Sequence, residues 1–130
     1  MSELNQNAIT LLSSTALVDM KTNATQRILY TIPSGKTAII THVCIKNPSA
    51  SLAGGASYAF GNNPTTYNNW DSAITLISLT AATLCMILIP TTAGAQTTTI
   101  CAAGTEFSMY ATDGSDAVAT ATIDVFGYLY

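Results

Sequence analysis

Apolar residues recur along this chain in short runs with a period of two rather than 3.6. Over residues 37–46, Ile39, Thr41, Val43 and Ile45 fall on one face and Ala38, Ile40, His42, Cys44 and Lys46 on the other. That alternation predicts a strand. Weaker alternation predicts two strands before it, over 14–21 and 25–32. In the second, Ile28 and Tyr30 lie on one side and Arg27, Leu29 and Thr31 on the other. Pro33-Ser34-Gly35 then forms a turn, because proline presets φ and glycine accepts a positive one. Further strands are predicted over 57–60, 74–79, 84–89, 96–101, 106–112 and 117–129, with Ala119, Ala121, Ile123, Val125, Gly127 and Leu129 sharing a face of the last. The run 84–89 is apolar on both faces, which predicts a central strand or one covered by a neighbour. Asp113-Gly114-Ser115-Asp116 reads as a hairpin turn. Eight or nine strands at this spacing, without a helical pattern, predict an all-β fold: a single-domain antiparallel β-sandwich, jelly-roll-like.

Residues 1–13 stand apart as an extended N-terminal arm, polar at first and then carrying Ile9, Leu11 and Leu12; the sandwich domain is 14–130. Burying one Leu or Ile is worth about 1.5–3 kcal/mol, so these three side chains are expected at an interface with a neighbouring subunit. Tyr58, Phe60, Tyr67 and Trp70, interleaved with asparagines, form the one aromatic-rich stretch. Loop aromatics of this kind either fold onto the subunit's own core, or serve an interface, or form a glycan site. Tyr67 and Trp70 are the interface candidates.

Composition sharpens the expectation of assembly. The chain has 130 residues, enough for one core. It is 48% hydrophobic and only 8% charged, against about 25% in typical soluble domains. A surface of Thr, Ser, Asn and Ala is covered at low desolvation cost, which favours a homo-oligomer. Net charge is −3 and the four basic residues, Lys21, Arg27, Lys36 and Lys46, are scattered. A nucleic-acid surface needs clustered cations, so none is expected. The start of the chain lacks a basic, apolar leader, which predicts synthesis and retention in a cytoplasm. The uncharged 72–105 stretch is too interrupted for a membrane helix. Cys44, Cys85 and Cys101 show neither metal nor disulfide spacing and are expected as buried free thiols.

Catalytic motifs fail on inspection. Gly35-Lys36-Thr37 mimics the end of a phosphate-binding loop, but the earlier glycine falls on Tyr30 and a strand follows. His42 has no second histidine to share a metal with. Asp113 and Asp116 lack the alternating acidic pattern of a calcium loop. Glu106 and Asp124 form a carboxylate pair only if their strands are neighbours. No enzyme activity, cofactor or metal is expected.

The segment Ile28-Leu29-Tyr30-Thr31-Ile32-Pro33-Ser34-Gly35-Lys36-Thr37-Ala38-Ile39-Ile40-Thr41, the following Asn47-Pro48-Ser49-Ala50 and the ending Ile123-Asp124-Val125-Phe126-Gly127-Tyr128-Leu129 resemble the small β-sandwich proteins of tailed-bacteriophage virions. The resemblance covers most of residues 25–130. It implies a structural virion protein made in the host cytoplasm, in first place a capsid cement or decoration protein bridging major capsid protein subunits, with a trimer the expected form. A neck, tail or fibre adaptor touching other virion structural proteins is the alternative within that class. A carbohydrate-binding module using Tyr67 and Trp70 is the alternative outside it.

Overall fold

The computed structural model describes residues 8–54, 57–90 and 100–130. Eight strands follow one another: β1 (Thr10–Asp19), β2 (Gln26–Thr31), β3 (Ala38–Lys46), β4 (Ser57–Gly61), β5 (Asp71–Thr75), β6 (Cys85–Leu88), β7 (Glu106–Asp113) and β8 (Thr120–Leu129). They form two four-stranded sheets, ordered β1-β8-β3-β6 and β2-β7-β4-β5. Pairing is nested: β1 with β8, β2 with β7, β3 with β6 and β4 with β5, all antiparallel. One long hairpin rolled across two sheets gives this order, so the sandwich is a jelly roll.

The inner faces meet on Tyr58, Phe60, Trp70, Phe107, Ile40 and Ile45, all buried. Phe107 lies edge-on to Trp70 at 5.6 Å between ring centroids. The buried Tyr58 hydroxyl donates to the Met20 carbonyl at 2.6 Å, so its polar end is satisfied inside the core. The turn at Gly35 forms as the sequence predicts, with φ +75° and the Lys36 amide donating to the Pro33 carbonyl at 3.2 Å.

Four elements differ from expectation. The strand over 37–46 does not keep one phase, because a bulge between Ile40 and His42 lets Ala38 and Ile40, then Val43 and Ile45, all point inward. One extra residue reverses every side chain beyond it. Gly127 faces this bulge closely; a Cβ there would collide with the Ile39 carbonyl. The β5 strand begins at Asp71, and Leu76 and Leu79 bury themselves from a turn in which the Leu79 amide donates to the Leu76 carbonyl at 2.9 Å.

The Asp113–Asp116 stretch crosses from one sheet to the other instead of closing a hairpin, since β7 and β8 belong to different sheets. Lys21 and its neighbours hold it: the Gly114 amide donates to Asn23 Oδ1, the Ser115 amide to the Met20 carbonyl, and Lys21 Nζ to the Asp116 carbonyl. Finally, among the described residues β6 is an edge strand, not a central one. Of the strand expected over 96–101, residues 96–99 lie outside the described residues, and Cys101 bridges to Ala38.

Candidate interaction surface

The first candidate surface is the outer face of the β1-β8-β3-β6 sheet. Register sets Leu11 beside Phe126, and Phe126 beside His42. A transverse row of Leu11, Phe126 and His42 therefore crosses β1, β8 and β3, and Ile89 follows directly on the end of β6, whose Leu88 pairs with Val43. The His42 and Phe126 rings stack at 4.4 Å, 7° from parallel. The next row runs Ser14, Asp124, Cys44, Ile87. Leu11, Ile87 and Ile89 are 52%, 66% and 62% exposed, and Ile9, just before β1, is 56% exposed. Among the described residues both edges of this sheet thus carry exposed aliphatic side chains, a pattern that marks interaction sites.

A neutralised polar centre lies between them. Lys46 Nζ meets Asp124 at 2.8 Å, and Ser14 Oγ donates to the same carboxylate at 2.5 Å. Desolvation pushes the Asp124 carboxyl up, but the hydrogen bonds from Lys46 and Ser14 and the Lys46 charge together hold it below its ordinary value. The hydrogen bond to Asp124, aided by its charge, raises the Lys46 ammonium.

A carboxyl lowered in the folded state stabilises above the unfolded value of about 3.9, and that stabilisation disappears as pH falls through the folded value. Asp124→Asn is therefore expected to destabilise the protein by about 1–3 kcal/mol at pH 7. Melting curves of variant and parent should converge as pH falls below about 4. A gap that persists undiminished in acid would show that the carboxylate's charge is not what Lys46 and Ser14 recognise.

The structure places the expected interface residues unequally. Ile9 and Leu11 are exposed. Leu11 and Leu12 do not belong to a free arm: both lie in β1, paired with β8, and Leu12 packs partly against the core from a bulge. The boundary at 13/14 thus falls inside a strand, because β8 offers an open ladder that residues 10–13 satisfy. Residues 1–7 of the expected arm lie outside the described residues.

Trp70 is corrected outright. It is 1% exposed, its indole Nε1 donates to the Ile40 carbonyl at 3.0 Å, and it contacts Phe60 and Phe107. It belongs to the subunit's own core.

Tyr67 takes a different route, half-buried over the outer side of the other sheet with its ring 6.4 Å from Tyr110. Asn63 builds the loop beneath it. Its Oδ1 accepts from the Asn68 and Asn69 amides, and its Nδ2 donates to Asn68 Oδ1 and Thr66 Oγ1. Asn62 and Asn69 exchange a further side-chain bond at 2.7 Å. This network holds Thr65 and Tyr67 at φ +76° and +45°, conformations that non-glycine residues seldom adopt. Beside Tyr67 opens a cleft of about 220 Å³ lined by Asn62, Pro64, Tyr67, Gly104, Thr105 and Glu106.

The thiols also depart from expectation: Cys101 is buried, Cys44 half-buried and Cys85 exposed. Burial pushes the Cys101 thiol up to about 11, and it raises Cys44 with help from neighbouring Cys85. Native protein is expected to react with a thiol reagent at Cys85 promptly and at Cys101 only in denaturant. Peptide mapping after brief labelling checks this, and prompt modification of Cys101 would contradict its place in the core.

Sequence reasoning missed the row through Phe126 and His42 and the exposed Ile87 and Ile89 beside it. The signal lay in the 84–89 run, whose two apolar faces needed two partners. Glu106 and Asp124 lie in different sheets, so they are not a carboxylate pair on neighbouring strands. Among the described residues no cluster of three or more His, Cys, Asp or Glu has the arrangement of a metal site.

No family model matches the sequence, and no curated protein matches it. Among solved structures, a chain of the acidic stable capsid structure of Helicobacter pylori bacteriophage KHP30 is similar, with a TM-score of 0.51 and 15% identity over 94% of this chain and 92% of that one. At that identity the likeness is one of fold, and it extends over nearly the whole of both chains.

Proposed function

We propose that this chain is a structural virion protein of a tailed phage, a capsid cement or decoration protein that docks on major capsid protein subunits through the outer face of the β1-β8-β3-β6 sheet. The observation that carries this reading is the row of exposed Leu11 and half-buried Phe126 and His42, with Ile9, Ile87 and Ile89 exposed at its edges among the described residues, on a jelly roll whose fold recurs in a phage capsid structure. The likeness covers 92% of the capsid chain, which favours a partner-sized domain over a larger shell protein containing the sandwich as one part.

The mechanism is mass action. A protein that binds only the expanded shell stabilises it by its own binding free energy, multiplied over every site on the lattice. Three-fold assembly around shell axes fits the low surface charge. The titratable groups serve architecture instead of catalysis: Asp124 is tied to Lys46, and Arg27 to Asp19 and the Thr22 carbonyl. A glycan module loses half of its aromatic platform with Trp70 in the core.

Purified expanded capsids lacking the protein provide the test. Added protein should saturate them and raise the temperature at which they release their contents. Protein that stays in the supernatant would remove the cement reading and leave a neck or tail adaptor to be sought by the same assay on isolated tails.

A further inference from the structure

We infer that the cleft beside Tyr67 is a socket for an arginine side chain of a partner chain. The cleft lies over the sheet opposite the face proposed for docking, so it adds a second protein contact to that role, and it rests on that reading only in taking the partner to be a protein.

The cleft joins three features that suit a guanidinium. Tyr67, backed by Tyr110, supplies an aromatic wall, and Pro64 adds apolar lining. Planar guanidinium stacks on such a face and is attracted by its π density. Glu106 lies at the end of β7, half-buried, and among the described residues its carboxylate accepts no hydrogen bond and meets no cation. A partly desolvated carboxylate without a partner is the natural receptor for a fork of N–H donors.

Charge across the molecule favours a basic partner as well. Lys21, Arg27 and Lys46 are committed within the chain, which leaves exposed Lys36 as the one cation without a partner among the described residues. The carboxylates of Glu106, Asp113 and Asp116 have no such partners among the described residues, which leaves the accessible charge acidic.

A saccharide is the competing ligand, and the polar inventory argues against it. Sugar hydroxyls need several open donors and acceptors together, but here Asn62 donates to Thr105 Oγ1 and accepts from Asn69, while Thr105 donates to the Ala102 carbonyl. Glu106 and the Tyr67 hydroxyl are the lining side-chain groups that make no hydrogen bond among the described residues. The loop is also built in advance: the Asn63 network fixes Tyr67 before anything binds, which lowers the ordering entropy that docking must overcome. At about 220 Å³ the cleft is smaller than drug-sized pockets and takes one side chain.

The experiment is an NMR titration of the free full chain with N-acetyl-arginine amide, N-acetyl-lysine amide and methyl glucoside. The arginine probe should shift the Tyr67 and Gly104 signals at millimolar concentration. Glu106→Gln, which breaks no bond in the fold, should weaken it roughly tenfold. Tyr67→Leu should do the same, and added salt should weaken the parent more than the Glu106 variant. Sugar binding in place of arginine, or arginine shifts indifferent to both substitutions, would overturn the assignment. Because the probe is tested without capsids, its failure is separable from failure to bind the shell.

Discussion

Replacing Trp70 with alanine is expected to lower the melting temperature by roughly 10–20 °C, corresponding to a loss of roughly 3–5 kcal/mol. The indole is fully buried between Phe60 and Phe107, so its removal leaves a cavity that the two facing sheets cannot close. It also leaves the Ile40 carbonyl without the donor it holds at 3.0 Å. Because Ile40 precedes the β3 bulge, the damage falls where the strand reverses its phase. Tyr67→Ala gives the control: the ring is half-buried over the outer sheet face, and its loss should shift the melting point by only a few degrees. Thermal unfolding by circular dichroism of the two variants checks both. Equal, small effects would place Trp70 at the surface and restore it as an interface candidate.

Leu11→Asp combined with Ile87→Asp is expected to weaken capsid binding by more than about 100-fold while leaving the monomer folded. The two side chains sit on opposite edges of one sheet and are more than half exposed, so a carboxylate at either position remains hydrated in the free chain. On the shell, each would bury a charge against an apolar partner, which is disfavoured unless the charge is paired. The single substitution Ile28→Asp, at a residue exposed on the other sheet, should bind normally. Loss of binding from Ile28→Asp with retention in the double variant would put the docking face on the opposite side of the sandwich.

Much of the architecture was legible from period-two patterning and turn chemistry. Strands β2, β3, β4, β7 and β8 fall where alternation predicts them, and the Gly35 turn has the backbone its residues require. The errors share one physical origin. Periodicity reports which face a residue occupies locally, but a single bulge resets it, as between Ile40 and His42. Sheet membership is a long-range property, so the Asp113–Asp116 crossover looks like a hairpin until β7 and β8 are seen in different sheets.

The surface was harder to read than the core. A Trp in an asparagine-rich loop looks exposed, and only the fold-back of 61–70 onto the inner face shows it buried. Conversely, Phe126 and His42 appear unremarkable apart in sequence, and only the register of β3 with β8 brings their rings together. Glu106 gains a candidate role for the same reason, from a cleft built by residues as distant as Asn62 and Gly104.

The central claim is that this chain coats a capsid, and its most direct test is the number of copies in a purified virion, counted by quantitative mass spectrometry against the major capsid protein. A lattice-bound cement protein should be present on the order of hundreds of copies, in a fixed ratio to the shell subunit set by the symmetry of its sites. A count of about a dozen or fewer, matching a single symmetric ring, would contradict the cement reading and assign the jelly roll to the neck or tail.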